Sequence, residues 1–145
     1  MDKLNIGCGN KSEAGYINLD KIKLDGVDVV HDLDTFPYPF RDNTFVEIKA
    51  IDVLEHINDI AMAMQELHRI MKTGGVLYVR GPDAEYPEEL WRDPTHKRAF
   101  TDVSFDYWDE DTYYGEHCGW YSNARFKVVT RKKNNKGYEF TLVKR

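Results

Sequence analysis

Cysteine is scarce: 145 residues hold two, Cys8 and Cys118. They stand at no metal-ligand or redox spacing, so reduced thiols of a cytoplasmic protein are expected. No apolar run approaches the roughly 18 residues of a membrane span. The opening MDKLNIGCG enters a strand-like run almost at once, so neither a targeting segment nor a membrane partner is expected. Positive charge is not in excess. Lys and Arg number 20 against 25 Asp and Glu, and the net charge of -5 disfavours nucleic acid as a partner. The one cationic cluster, RKKNNKGYEFTLVKR, reads as a hairpin turn with solvated flanks. Repeats and low-complexity segments are absent. With 41% hydrophobic and 31% charged residues the composition is that of an ordinary globular protein, and the length predicts a single domain over 1–145.

What is present is a succession of short apolar runs bounded by turn residues: LNIG, YINLD, VDVVHDL, FVEIKAI, GVLYVRGP, RFKVVTRK and YEFTLVKR. These predict about seven strands. The last two flank KNNKG and read as an antiparallel hairpin. Between the fourth and fifth runs, Ile57, Ile60, Ala61, Met64, Leu67, Ile70 and Met71 recur at helical spacing. This predicts a helix over 58–72 with Asn58 or Asp59 as N-cap, closed by Gly74 and Gly75. AEYPEELWRD has room for a short helix. Phe36, Phe40 and Phe45 read as core. The fold class is therefore α/β, a mixed, mostly parallel sheet with a terminal antiparallel hairpin.

A further shortage concerns the connections. Six residues separate Gly9 from Tyr16, and six separate Asp20 from Val27. A helical crossover between parallel strands needs about a dozen. Helices are therefore expected mainly on one face of the sheet. Lys3 and Asn5 alternate with Leu4 and Ile6, and Glu47 and Lys49 with Val46, Ile48 and Ala50, so one face is apolar and the other half polar. The long helix and the segment after Pro82 should cover the apolar face. The other face is solvated, covered by the aromatic region 100–121, or buried in a homodimer.

Taken in order, LNIGCG, the acidic end of the second strand at Asp20, HDLDTFPYPFRDNTF, VLEHI and ELHRIMKTGGVLYV resemble the class I S-adenosylmethionine-dependent methyltransferases, in particular small members with a VLEH signature, here with trimmed N-terminal helices. DPTHKRAFT also looks like a stretch of some of these enzymes. The resemblance implies a Rossmann-like fold and S-adenosyl-L-methionine as cofactor, with its methionine part against the turn at Gly7, Cys8 and Gly9, and its adenine near Asp32 and Leu33. Asn5, Asp52 and Val53 complete the cofactor-binding set implied. Relatives more often carry Ser, His or Asn at the position of Asp52.

Elementary chemistry supports parts of this set independently. Glycines at a strand end let the main chain approach a ligand without Cβ contacts. A carboxylate at the end of the second strand, as at Asp20, accepts ribose hydroxyls, a role shared by dinucleotide enzymes. A nicotinamide dehydrogenase is disfavoured, because no third glycine follows Gly9 in the G-x-G-x-x-G manner. His56 and His96 are the candidate catalytic residues, having side chains that titrate near neutrality; His56 equally suits a structural role in the VLEH turn. Methyl transfer from a sulfonium chiefly demands alignment. The expected activity is methylation of a small-molecule acceptor, sugar-like or peptidic, with the 100–121 region on the acceptor side. The alternative is a non-catalytic cofactor-binding or scaffold domain acting with a partner subunit.

Overall fold

The computed structural model describes residues 2–135 and 137–145. Its strands are β1 (Asp2–Ile6), β2 (Ile17–Asp20), β3 (Val29–Val30), β4 (Phe45–Ile51), β5 (Met71–Gly81), β6 (Phe126–Asn134) and β7 (Gly137–Lys144), forming one sheet in the order β3-β2-β1-β4-β5-β7-β6. β1 to β5 pair in parallel, and β5, β7 and β6 pair antiparallel. The Rossmann-like class with its terminal hairpin is therefore as expected. Of the KNNKG turn, Lys136 lies outside the described residues. The predicted third strand is shorter than its apolar run, with two residues in the sheet.

The main helix, α1 (Ile60–Ile70), starts where Asp59 accepts the Met62 amide at 2.9 Å. It ends two residues earlier than predicted. Met71 is already strand, paired with Phe45 and fully buried, and its carbonyl accepts from the Lys144 amine at 2.8 Å. Pairing resumes at Glu47 opposite Val76. Residues 72–75 fall within this register shift, with Gly74 at φ +77°. Two short helices follow, α2 (Pro87–Trp91) and α3 (Tyr113–Cys118). Among the described residues no helix is long and apolar enough to cross a membrane.

The buried face of the sheet carries Leu4, Ile6, Leu19, Ile48, Ala50, Leu77, Val79, Phe140 and Leu142. α1 packs there through Ala63, Met64, Leu67 and Ile70, all fully buried, with the His68 ring 5.4 Å from Phe126. The aromatic region covers the same face. Phe105 stands 4.7 Å from Phe140, Phe100 stacks on Phe105 at 5.6 Å, and a Cβ on Gly81 would strike the Phe100 ring. The suggestion that this region covers the opposite face is thus corrected: large rings follow the apolar side of the strands. Of the three phenylalanines read as core, Phe45 is fully buried, and Phe36 and Phe40 pack on the core's margin.

Neither the β1–β2 nor the β2–β3 connection contains a helix. On the face that crossover helices would cover, Lys3, Glu47, Val76 and Val143 align in one cross-strand row, with Asn5, Lys49, Tyr78 and Thr141 in the next. The β1–β2 loop caps one end of it. The Tyr16 ring lies under the Lys3 and Lys49 ammoniums, 5.3 and 4.6 Å from its centroid, and its hydroxyl donates to Glu47. A polar and aromatic cover stands in for a helix.

Candidate functional site

The order of the parallel strands reverses between β1 and β4, and open α/β sheets bind ligands at the carboxyl ends of such strands. A cavity of about 600 Å³ opens there. Gly7, Asp20, Asp32, Leu33, Asp52 and Val53 all line it, so the fold gathers six of the nine residues assigned to the cofactor. Asn5, Cys8 and Gly9 instead line an adjoining cavity of about 420 Å³, to which Gly7 and Asp52 also contribute.

The turn after β1 is fixed by its neighbours. Gly7 sits at φ +60°, and a Cβ there would lie 2.3 Å from Val53 Cγ2, so both conformation and space require glycine. The Cys8 amide donates to the Leu19 carbonyl at 3.1 Å, tying the turn to β2. Burial, and then Asp20, push the Cys8 thiol up, which fits a role through its main chain rather than as a nucleophile. Gly9, at φ +52°, has open space where a Cβ would project, and its amide donates to Asp20 Oδ2 at 2.8 Å. The Ile22 amide donates to Asp20 Oδ1 at 3.0 Å. Each carboxylate oxygen keeps a further lone pair, and Asp20 lines the larger cavity. Asn5 is buried, and its amide donates to Asn18 Oδ1 at 3.0 Å and the Lys11 carbonyl at 3.2 Å, holding the loop.

Asp52 ends β4 in the left-handed region, at φ 55°, with its amide donating to the Arg80 carbonyl at 2.9 Å. Its carboxylate pairs with Arg80 through both Nε, at 3.0 Å, and Nη2. Arg80 was not foreseen; the hint lay in two opposite charges ending adjacent strands. Acid predominates on the larger wall, where Asp20, Asp32, Asp34 and Asp52 face Lys21 and Lys97. Asp34 accepts from the Asn58 amide and side chain, each at 2.8 Å.

The two candidate catalytic histidines, 40 positions apart in the chain, come together with ring centroids 4.7 Å apart. His56 lines the larger cavity and its Nδ1 lies 2.9 Å from Thr95 Oγ1. His96 Nδ1 lies 2.6 Å from the Leu90 carbonyl. Burial, and then the His96 ring, hold the His56 imidazole below its ordinary value. Beside them stands Glu55, which sequence reasoning treated only as part of the VLEH turn; its Oε1 lies 3.9 Å from His96 Nε2. It is 1% exposed, and burial pushes its carboxyl up to about 7. VLEH and DPTHKR are thus one spatial unit. The Lys97 amide donates to the Glu55 carbonyl at 2.8 Å, and the Arg98 guanidinium donates to the carbonyls of Leu54 at 2.7 Å and Asn58 at 3.2 Å.

The aromatic region expected on the acceptor side stands apart from both cavities. No residue of 100–121 lines either cavity: Phe100, Phe105 and Trp108 are core, while Tyr113, Tyr114, Trp120 and Tyr121 are exposed elsewhere. The 93–98 loop stands at the cavity instead, through Thr95 and Lys97.

The chain matches the family described as Methyltransferase domain over residues 2–135. A stretch of 57 residues, 38% of the chain, is 40% identical to an uncharacterised protein of Methanocaldococcus jannaschii, and the match spans 25% of that relative's length. Among solved structures, the chain is similar to a SAM-dependent methyltransferase of Archaeoglobus fulgidus (TM-score 0.66, 12% identity, covering 99% of this chain and 86% of that one). It is also similar to a SAM-dependent methyltransferase of Thermotoga maritima (TM-score 0.63, 17% identity, 99% and 81%). A third is the trans-methyltransferase CalH in complex with SAH (TM-score 0.62, 12% identity, 100% and 51%). Identities this low carry the fold alone.

Proposed function

Because the chain belongs to the methyltransferase-domain family and has the fold of S-adenosylmethionine-dependent methyltransferases, we propose that it methylates a small-molecule acceptor, sugar-like or peptidic, at the β1–β4 crevice. The observation that carries this reading is the convergence of Asp20, Asp32, Leu33, Asp52 and the Gly7 turn on one cavity of about 600 Å³.

The residues fit the cofactor. The volume lies within the range of small-ligand pockets, about 300–1,000 Å³. The acidic wall suits a sulfonium and an ammonium, and the unfilled space beside Gly9 leaves the main chain open to close approach. When bound, S-adenosylmethionine supplies an electrophilic methyl group to a nucleophilic acceptor atom. In this reading Asp20, already oriented by the Gly9 and Ile22 amides, accepts the ribose hydroxyls. Asp32 accepts from the adenine amine, and Leu33, Val53 and Ile57 offer the ring an apolar wall. Gly7, Cys8 and Gly9 meet the methionine part through their backbone, with Asn5 holding the loop behind them. Asp52, oriented by Arg80, stands where the amino group of the methionine part would lie. His56, with Thr95 and Lys97, borders the side open to the acceptor, and His96 stands behind it. The chain's contribution to rate is then chiefly alignment.

The second reading, a cofactor-binding or scaffold domain without turnover, draws on Asp52, whose carboxylate is already taken by Arg80. Calorimetry with S-adenosylmethionine and S-adenosylhomocysteine tests the cofactor site, and methyl transfer from labelled S-adenosylmethionine to candidate acceptors separates turnover from binding alone. Micromolar binding is expected, and its absence at millimolar ligand leaves the scaffold.

A further inference from the structure

We propose that Glu55, His56 and His96 bind a divalent transition-metal ion, of the class of zinc or cobalt, in the wall of the larger cavity. One ligand atom from each of these residues can be chosen so that all lie within 4.8 Å of one another. They come from two segments, the VLEH turn and the 93–98 loop, which Arg98 and the Lys97 amide lock together.

The hydrogen bonds around the two rings fix which nitrogen is free. A carbonyl can only accept, so His96 Nδ1, 2.6 Å from the Leu90 oxygen, carries a proton, and in the neutral tautomer the lone pair lies on Nε2. The Thr95 hydroxyl donates to Asp93 Oδ1 at 2.6 Å, so toward His56 it acts as an acceptor. His56 Nδ1 is then also protonated, again leaving Nε2 as the ligand atom. Two imidazoles, each anchored through Nδ1–H to an oxygen behind it, are the arrangement of metal-ligating histidines with their outer partners.

Glu55 supplies the second, independent observation. It is 1% exposed, and its Oε2 has no hydrogen-bond partner. Oε1 stands 3.9 Å from His96 Nε2, too far for a hydrogen bond. A buried carboxylate oxygen without a donor costs stability, and a cation between it and the rings would satisfy it. Ligand atoms about 2.0–2.1 Å from a tetrahedral zinc stand roughly 3.4 Å apart, so the group needs a modest contraction. Two nitrogens and one carboxylate favour zinc, cobalt or nickel over the oxygen-seeking magnesium and calcium. Asp93 Oδ2, also 3.9 Å from His96 Nε2, adds negative charge at the rim.

Three protein ligands leave a coordination position open, as in catalytic rather than structural zinc sites. Of the three, His56 lines the larger cavity, so a metal held there would stand at its wall. Its use in holding an acceptor oxygen rests on the methyl-transfer reading; metal binding itself does not.

The test is a titration of the full, metal-stripped chain with Co²⁺, followed by its visible d–d absorption, and with Zn²⁺ against a chromophoric chelator. One equivalent of bound metal is expected. His96→Ala and Glu55→Gln should each weaken binding by more than about tenfold, and Thr95→Val, which frees the His56 ring, by about tenfold. His117→Ala, at an exposed histidine beside Glu116, should titrate like the parent. A wild-type chain that develops no visible cobalt band, or a folded His96→Ala variant with unchanged affinity, would overturn the proposal. The wild-type result stands even if a variant fails to fold. S-adenosylhomocysteine binding without metal binding would overturn this proposal alone, whereas metal binding without S-adenosylhomocysteine binding would uphold the site and count against methyl transfer.

Discussion

Gly7 and Gly9 share a left-handed backbone but differ in surroundings, and the difference separates stability from ligand binding. At Gly7 an added methyl group meets Val53 at 2.3 Å. Gly7→Ala should therefore cost about 2 kcal/mol or more, combining a positive φ with overpacking. At Gly9 the methyl group meets open space, so Gly9→Ala should cost about 1 kcal/mol and yet weaken cofactor binding, because it projects where the ligand would approach. Urea midpoints paired with calorimetry check both; equal losses of stability would contradict the account. The two glycines and Asp20 were legible because each ends a strand at a place where chain direction and ligand chemistry agree. Glu55 and Arg80 were not. Each draws its significance from partners 28 to 41 positions away, and neither pairing leaves a spacing pattern in the chain.

α1 was legible from its apolar spacing, but the network that seats it was not. Arg69 donates through Nε and Nη2 to both oxygens of Glu66, each at 2.8 Å, and to the carbonyls of Phe40 at 2.9 Å and Tyr38 at 3.1 Å. Glu66 in turn accepts the Tyr38 amide at 2.7 Å. One helix turn thereby carries the whole FPYPF loop. The Arg69 hydrogen bonds hold the Glu66 carboxyl below its ordinary value. Its contribution to stability is therefore complete above the unfolded pKa, about 4.3 for glutamate, and is lost as pH falls through the lower folded value. Glu66→Gln should destabilise the fold by about 1–3 kcal/mol at neutral pH, with the gap to wild type shrinking in acid. Denaturant unfolding at pH 7 and pH 3 reads this, and a gap that widens in acid would contradict it. The end of α1 was misread because Met71 and Lys72 continue the helical pattern in sequence. In the structure Met71 is worth more as a buried strand residue opposite Phe45.

Across the whole molecule, the sheet is sided: helices and aromatic rings on one face, a polar loop and open strands on the other. The shortness of the two early connections made this asymmetry readable, since no crossover helix fits in six residues. The destination of the aromatic region was not readable, because composition does not say which face a loop returns to. On the open face Tyr78 is 37% exposed, and a homodimer, one of the covers the sequence leaves open for this face, would bury it. In that case light scattering at high concentration gives twice the chain mass, and a monomer would remove the dimer option.

The central claim is that the β1–β4 crevice holds S-adenosylmethionine with Asp20 on its ribose. Calorimetry of S-adenosylhomocysteine with the wild-type chain and with folded Asp20→Ala tests it most directly. The account predicts binding in the micromolar range that falls by at least about tenfold, or about 1.4 kcal/mol, in the variant. Equal affinity in the two, or no binding to the wild type at millimolar ligand, would contradict it.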